Sequence, residues 1–134
     1  MRIDLKTSRR EEFVDITGLV ARAVAASGVS SGAVLVFCPH TTAAVTINEN
    51  ADPDVVADLT RGLADLAPRD AGWRHSEGNS DGHLKSSLVG PSLTVPIEGG
   101  RLALGTWQGI YFCEFDGPRS RHVSVTLLAG PELP

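Results

Sequence analysis

The sequence predicts an α+β fold, in which one compact domain covers residues 1–134 and combines a mainly antiparallel β-sheet or sandwich with about three helices. The C-terminal third reads as one strand after another, whereas helical periodicity is confined to three segments that precede it. A chain of 134 residues is also long enough to bury a core without disulfides or metal. Its 42% hydrophobic and 21% charged residues are typical of a globular domain.

The first 48 residues contain four candidate strands and one candidate helix. Thr17 is the expected N-cap of a helix over residues 18–26, which Gly28 closes. Short apolar or alternating runs predict strands at residues 2–6, 12–16, 32–40 and 42–48.

The second helix has the clearest start signal in the chain. Asp52 is expected to cap it, Pro53 fits the first helical position, and Asp54 favours the positive end of the helix dipole. Pro68 ends the helix, and residues 68–80 are predicted to form a loop. The helical spacing predicts one apolar stripe, made of Val55, Val56, Leu59, Leu63 and Leu66.

The segment "NSDGHLKSSLVG" at residues 79–90 is predicted to hold a third, short helix. Asp81 is expected to cap it, and Leu84 and Leu88, four residues apart, are expected to face the core. Gly90 stops the helix. The remaining runs "SLTVPI", "RLALGTW", "GIYFCEF" and "HVSVTLL" predict strands, with turns at "EGG" and "DGP".

Charge and hydropathy argue against several classes of partner. The formal net charge is −4, with 12 basic against 16 acidic residues, and no concentrated basic run is present. Nucleic-acid binding is therefore not expected. No apolar run is long enough to cross a membrane, so we expect a cytoplasmic protein without membrane contact. Cys38 and Cys113 lie in apolar runs without a CxxC spacing, and both are expected to be reduced, buried and unreactive.

Three polar clusters interrupt the apolar elements and contain the candidate site residues. Imidazole and carboxylate groups together suit a divalent metal such as zinc or magnesium, although no diagnostic metal motif is present. Because a helix N-terminus disfavours imidazolium, His83 is expected to be a neutral, ligand-competent imidazole. The structural alternative places His40 at a strand end and His75 in a surface loop. The clusters supply His40, Asn48 and Glu49; then His75, Asn79, Asp81, His83 and Lys85; and finally Gln108 and Glu114.

A phosphate site competes with the metal interpretation. The start of the third helix offers backbone N–H groups, beside which Lys85 would add positive charge and Ser86 and Ser87 would add hydroxyl donors. Arg119 and Arg121 follow the DGP turn and could reach the same anion. The alternative is that Asp81 occupies those N–H groups while both arginines lie in solvent.

The third polar cluster spans residues 105–121. The sequence leaves the roles of two of its residues undecided. Trp107, beside Gly105 and Gly109, is expected to fill a core or subunit contact in preference to stacking on a ligand. Glu114 lies within an apolar strand, so it needs a cation or an arginine if it is buried, or else faces outward.

The segments "HTTAAVTINENADPDV" and "EGNSDGHLKSSLVGPSLTVPIEGGRLALGTWQGIYFCEFDGPR" resemble the YjbQ-type proteins, also known as the secondary thiamine-phosphate synthase family. The likeness runs from about residue 34 to 128. It implies a compact α+β fold, a homotrimer, and a polar site at the matching positions His40, Glu49, His75, Asp81, His83 and Lys85, with Gln108 and Glu114 as further candidates.

The resemblance also implies a chemistry. The expected activity is that of a thiamine-phosphate synthase-like transferase, which joins a pyrimidine-methyl pyrophosphate to a thiazole phosphate and releases pyrophosphate, either as its main reaction or only as a side activity. His40, His75 and His83 would hold the metal, Asp81 or Glu49 would support it, and Lys85 would face phosphate. The alternatives are metal-assisted hydrolysis of a small phosphorylated metabolite, with Glu49 or Glu114 as base, and a non-catalytic trimeric protein that binds a metal or metabolite.

Overall fold

The computed structural model describes residues 1–132 and contains eight strands and three helices. None of the helices in this described part is long and apolar enough to cross a membrane. In chain order the elements are β1 Arg2–Lys6, β2 Glu12–Asp15, α1 Thr17–Ser27, β3 Ser31–Phe37, β4 Ala43–Glu49, α2 Pro53–Leu66, α3 Ser80–Val89, β5 Ser92–Glu98, β6 Arg101–Leu102, β7 Gln108–Glu114 and β8 Ser120–Ala129.

The strands form two antiparallel sheets, which together make a curled half-barrel. The larger sheet has the order β1-β8-β3-β5-β6, and the smaller has the order β2-β7-β4. In the smaller sheet Ala43 pairs with Glu114 at one end and Glu49 pairs with Gln108 at the other. The predicted α+β fold with three helices and mainly antiparallel sheet is confirmed.

The core lies between the concave faces of the two sheets and α1. Alternate residues of the strands point inward, as the period of two requires, so Val34 and Val36 of β3 meet Val123 and Val125 of β8. Helix α1 ends as predicted at Gly28, which adopts the left-handed conformation with φ of 73°. The predicted cap at Thr17 is wrong, because Thr17 is already helical and Ile16 takes the cap position.

Helix α2 begins as its sequence predicts. The Asp52 carboxylate accepts a hydrogen bond of 2.9 Å from the Asp54 N–H, and Pro53 occupies the first turn. The apolar stripe is only partly covered, since Val56 and Leu63 pack on the smaller sheet while Leu66 remains exposed. No residue of α2 is buried in the described chain, so this amphipathic helix is attached mainly by one face.

Helix α3 lies in an orientation that its sequence did not suggest. It begins at Ser80, and Asp81 makes no cap, because its carboxylate turns toward the protein interior. Leu84 is exposed and Leu88 is 57% exposed, so the prediction that they face the core is wrong. The face that packs on β4 consists instead of Asp81, Gly82, Lys85 and Ser86.

Two contacts explain why the polar face of α3 turns inward. A Cβ added to Gly82 would lie 3.0 Å from the Phe115 carbonyl oxygen, so the glycine lets the helix approach the sheet closely. The Ser86 hydroxyl donates to the Ala43 carbonyl oxygen at 2.7 Å. Ionic partners from the β1–β2 connection satisfy Asp81 and Lys85, and these buried charges therefore fix the rotation of the helix.

Cys38 and Cys113 are both free and buried, as predicted. Burial raises the pKa of both thiols above its usual range. A thiol that is buried and protonated is a poor nucleophile, so neither cysteine is placed to act as a nucleophile in the folded chain.

Candidate functional site

A polar cleft of about 470 Å³ lies where β4 begins and β7 ends. Its walls come from the β3–β4 connection, the loop before α3, the first turn of α3 and the segment that joins β7 to β8. The cleft brings together six residues that the sequence singled out, namely His40, His75, Asn79, His83, Arg119 and Arg121.

His40 is held by the backbone of β8. Its Nε2 atom lies 3.0 Å from the His122 amide nitrogen and 2.9 Å from the His122 carbonyl oxygen. Nε2 accepts from that N–H when it is unprotonated and donates to that carbonyl when it is protonated, so either tautomer is satisfied. Burial, together with the charge of Arg121, lowers the pKa of His40 and favours the neutral ring. Nδ1 is therefore the ring atom that remains for a ligand.

His75 and His83 pack edge to face in the lining of the cleft. Their ring centroids are 5.5 Å apart and their planes are nearly perpendicular, at 85°. His83 is carried by α3, whereas His75 belongs to the preceding loop and has Nε2 3.7 Å from the Glu77 carboxylate. Two imidazoles at this separation can reach one small ligand or ion between them.

Arg121 is anchored by a buried ion pair with Glu114. The Arg121 Nε donates to Glu114 Oε1 at 2.9 Å, and Thr7 donates its hydroxyl proton to the same oxygen at 2.7 Å. Burial alone would raise the pKa of Glu114, but the hydrogen bonds from Arg121 and Thr7 outweigh it and the pKa lies below its ordinary value. Of the alternatives left open for Glu114, burial against an arginine is the one found.

A second anchored arginine lies at the mouth of the cleft. Arg119 donates from Nη2 to Asp116 Oδ2 at 3.0 Å, and Asn79 donates its amide to the same carboxylate oxygen at 2.8 Å. This arrangement leaves the Asn79 Oδ1 atom buried. It is the one buried side-chain oxygen or nitrogen without a hydrogen-bond partner in residues 1–132.

Asp81 and Lys85 do not line the cleft, contrary to the expectation from sequence. Lys85 is 1% exposed and donates to Asp81 at 3.1 Å and to Glu11, while Arg10 makes two hydrogen bonds to Asp81 at 2.9 and 3.0 Å. Burial would raise the pKa of Asp81, but its bonds to Arg10 and Lys85 lower it to about 2. The expectation that Lys85 points toward a phosphate is therefore corrected, because both of its neighbours are carboxylates of the protein itself.

The two serines after Lys85 are also turned away from the cleft. Ser86 is committed to the backbone of β4, and the Ser87 hydroxyl donates to the His83 carbonyl oxygen at 3.0 Å. Neither serine lines the cleft. The expected phosphate contacts from this helix are thus absent from the described structure, and only Arg119 and Arg121 remain of that set.

Asn48, Glu49 and Gln108 lie at the opposite end of the smaller sheet. Glu49 pairs with Gln108, six residues along β4 from Ala43, which corresponds to about 20 Å of extended strand. Asn48 and Gln108 are exposed and bond to nearby backbone N–H groups, and Trp107 is exposed beside them. One chain therefore does not bring this group to the histidines.

Several residues of the site escaped the sequence interpretation. Thr42 accepts from Arg121 Nη2 at 2.9 Å through its hydroxyl, and His122 holds His40 through its backbone. Arg10 and Glu11 belong to a charged run, "RREE", that resembles an ordinary solvated connection. Nothing local in the sequence shows that this run reaches α3, because the contacts join residues more than 70 positions apart.

Comparison with known proteins places this architecture in a family. The family model described as "UPF0047 protein YjbQ-like" matches residues 1–130. UPF0047 protein YugU of Bacillus subtilis is 52% identical over 131 residues, covering 94% of this chain and 96% of the relative. A UPF0047 protein of Methanocaldococcus jannaschii is 50% identical over 127 residues, covering 95% and 92%. The names of these relatives state no activity.

Solved structures agree with the sequence relatives. A YjbQ/UPF0047 family protein of Clostridium acetobutylicum superposes with a TM-score of 0.94 at 55% identity, covering 96% of this chain and 99% of that one. A protein of unknown function from Sulfolobus solfataricus gives a TM-score of 0.93 at 34% identity, covering 97% and 96%. The chain is therefore a member of the YjbQ/UPF0047 family.

Proposed function

We propose that the cleft binds a small phosphorylated metabolite. The observation that carries this proposal is the convergence of three histidines and two arginines from separate parts of the chain on one cavity. The volume of about 470 Å³ lies within the range of ligand pockets, and its lining is rich in hydrogen-bond donors. Phosphate oxygens accept bonds from both guanidinium and imidazole groups.

The two arginines are oriented in a manner that suits an anion. Each has one edge fixed by a carboxylate, Arg121 by Glu114 and Arg119 by Asp116. Within residues 1–132 the Nη1 group of each arginine makes no hydrogen bond. A guanidinium that is held on one edge keeps a donor for a ligand and loses little side-chain entropy when the ligand arrives.

A divalent metal would supply the positive charge that the cleft lacks. Both arginines are neutralised by carboxylates, so a phosphate dianion or a pyrophosphate needs a further cation. His75 and His83 are the pair best separated to share one ion, and His40 could contribute through Nδ1. In residues 1–132 no preformed group of three or more His, Cys, Asp or Glu side chains surrounds a metal position, so a bound substrate would have to complete the coordination.

The reaction we propose is the transfer expected from the family resemblance. The thiazole nitrogen would attack the methylene carbon of the pyrimidine substrate, and the bond from that carbon to pyrophosphate would break with its electron pair leaving on oxygen. Arg119, Arg121 and a metal would stabilise the departing pyrophosphate. The enzyme would then be a thiamine-phosphate synthase-like transferase, and this activity would be either its main or a side reaction.

Two other functions predict different results. A metal-assisted hydrolase would need a base, but Glu114 is bound to Arg121 and Glu49 lies at the far end of β4. Hydrolysis would therefore require His40 as base, since its neutral ring lines the cleft. A non-catalytic binding protein would hold the same ligand without product.

We further propose that the chain assembles as a homotrimer in the cytoplasm. The convex face of the larger sheet supports assembly, because Glu98, at the end of β5, is the one charged residue among the outward residues of β3, β5 and the part of β8 that pairs with β3. Phe37 is 42% exposed and Leu128 is 52% exposed on this face. A sheet face of this extent with one charge at its end is typical of a surface that another subunit covers. The outward residues are Ser31, Ala33, Leu35, Phe37, Ser92, Thr94, Pro96, Glu98, Ser124, Thr126 and Leu128.

Calorimetric titration and a turnover assay test the proposal together. Inorganic pyrophosphate should bind in the presence of Zn²⁺ or Mg²⁺, and Arg119→Met should weaken binding by about 1.5–3 kcal/mol. Arg69→Met, in the exposed loop outside the cleft, is the matched control and should leave binding unchanged. Product from the paired pyrimidine and thiazole substrates supports the transferase. Phosphate release from either substrate alone supports the hydrolase, binding without product supports the third function, and no binding of pyrophosphate contradicts the proposal.

A further inference from the structure

The molecule has a second and larger concavity, separate from the histidine cleft. It has a volume of about 850 Å³, runs between β2 and α2, and shares no lining residue with the histidine cleft. One wall is the strand, and the opposite wall is the helix face formed by Pro53, Val56, Ala57 and Thr60. This spacing of three, four and seven residues aligns the four side chains along one side of the helix.

The strand that forms the first wall is an open sheet edge. Among residues 1–132, β2 pairs with β7 alone, since the order of the smaller sheet is β2-β7-β4. The Ile16 N–H donates to the Ile110 carbonyl at 2.8 Å, which fixes the phase of hydrogen bonding along the pair. Because hydrogen-bonded and non-bonded positions alternate in antiparallel sheets, the N–H and C=O groups of Phe13 and Asp15 point away from β7.

The floor of the groove is apolar and aromatic. Phe13 and Tyr111 contact each other edge to face with ring centroids 5.8 Å apart, and Val56 packs against the same cluster. The Tyr111 hydroxyl is engaged with the Glu49 carbonyl oxygen at 3.1 Å, so the ring is fixed in place. An apolar side chain that enters the groove would therefore meet a rigid surface.

The charged residues around this floor are mainly acidic. The groove is lined by Glu12 and Asp15, by Glu11, whose carboxylate is already paired with Lys85 and Arg10, and by one basic residue, Arg9. Glu12 and Asp15 belong to the edge strand itself, so their charges lie beside the open backbone groups. A strand that carries Lys or Arg would complement this edge.

From these features we propose that the groove binds an extended segment of a partner protein. The segment would add to the edge of β2 as a further strand and would alternate apolar with basic residues. Its backbone would pair with Phe13 and Asp15, its apolar side chains would pack between the aromatic floor and α2, and its basic side chains would meet the acidic edge. The proposal is independent of the function assigned to the histidine cleft.

The same charges argue against a second copy of this chain as the occupant. If β2 paired with β2 of another copy in antiparallel fashion, the Glu12 and Asp15 carboxylates of both copies would lie along one short ladder. Bringing like charges together in this way opposes the association. A basic partner segment meets no such repulsion.

Binding can be tested with acetylated and amidated hexapeptides in which Lys alternates with Val, Leu or Phe. At least one should bind the intact protein with a Kd below about 1 mM. On saturation, hydrogen exchange of the Phe13 and Asp15 amides should slow about tenfold or more, because these two N–H groups become bonded. Peptides with Glu in place of Lys should bind at least about tenfold more weakly.

Two matched variants locate the binding. Ala57→Arg places a long cation on the helix wall of the groove and should weaken binding at least about tenfold. Ala25→Arg, on the exposed side of α1, adds the same charge outside the groove and should leave binding unchanged. The proposal is overturned if no peptide binds at about 1 mM, or if Ala57→Arg has no effect on binding. It is also overturned if Ala57→Arg dissociates the native oligomer, since the groove would then be a contact between subunits.

Discussion

The imidazole of His40 replaces a missing strand partner for His122. The β3–β8 ladder ends at the pair of Phe37 with Ser124, and beyond it His40 Nε2 lies 3.0 Å from the His122 nitrogen and 2.9 Å from its carbonyl oxygen. The side chain thereby extends the sheet by one hydrogen-bonding position. It also faces the cleft, so one residue both closes the sheet end and lines the site.

We therefore expect His40→Ala to reduce the free energy of unfolding by about 1–3 kcal/mol, because the His122 backbone groups lose their partner. His40→Gln should lose less, since its amide can reach the same position. His75→Ala is the control, as this exposed loop residue should change stability by less than about 0.5 kcal/mol. Urea denaturation measures all three, and equal stability of the His40 and His75 alanine variants would contradict the prediction.

The buried charges of α3 should be essential for stability. Lys85→Met removes the cation between Asp81 and Glu11, and it should reduce the free energy of unfolding by about 3–5 kcal/mol because an incompletely compensated charge remains buried. Arg2→Met breaks an exposed pair with Asp4 and should cost less than about 1 kcal/mol. Chemical denaturation of both variants tests this, and a Lys85→Met protein as stable as Arg2→Met would contradict the buried position of Lys85.

Acid should destabilise the protein through Asp81. Its pKa of about 2 in the folded chain lies below the value of about 3.9 in an unfolded chain. The stabilisation is thus fully present above the unfolded value and is lost as pH falls from about 4 toward 2. Asp81→Asn should be less stable at neutral pH and should show a shallower loss of stability over that range. Unfolding curves between pH 7 and pH 2 measure the slope, and parallel curves would contradict the assignment.

The convex face of the larger sheet should hold the subunits together. Phe37→Glu introduces a charge among the uncharged residues at one end of this face, and it should shift a trimeric mass toward that of the 14.1 kDa monomer in light scattering. Leu66→Glu, on the exposed end of α2, is the control and should leave the mass unchanged. A wild-type protein that is monomeric would contradict the trimer proposal. If Leu66→Glu alone dissociates the trimer, the contact between subunits involves α2 and not the convex sheet face.

The two cysteines should be inert in the native state. Cys38 and Cys113 are buried, and burial raises the pKa of both thiols, so a thiol reagent should label them slowly until the protein is unfolded. Mass spectrometry of the native and denatured proteins measures the difference. Rapid labelling of native protein that also removes ligand binding would require a nucleophilic cysteine.

Local sequence signals correctly predicted the start of α2 and the end of α1, whereas the caps predicted at Thr17 and Asp81 were wrong. Asp52 and Pro53 start α2 through groups within one turn of each other, and Gly28 ends α1 through its own backbone freedom. The prediction for α3 was wrong, because the spacing of Leu84 and Leu88 indicated a face of the helix that is in fact exposed. Apolar spacing identifies which residues share a face, but it does not show that another surface with better contacts will be buried instead.

The candidate site shows the same difference between local sequence signals and long-range contacts. The sequence determined the types of group available, namely imidazoles, carboxylates and cations in three polar clusters, because these follow from composition and position alone. Only the tertiary structure decided which of them meet. It placed His40, His75 and His83 on one cleft, sealed Lys85 and Asp81 among Arg10 and Glu11, and kept Glu49 at the far end of β4. These outcomes depend on pairs far apart in the chain, whose proximity is set by strand register and by the burial of charges against partners that no local pattern identifies.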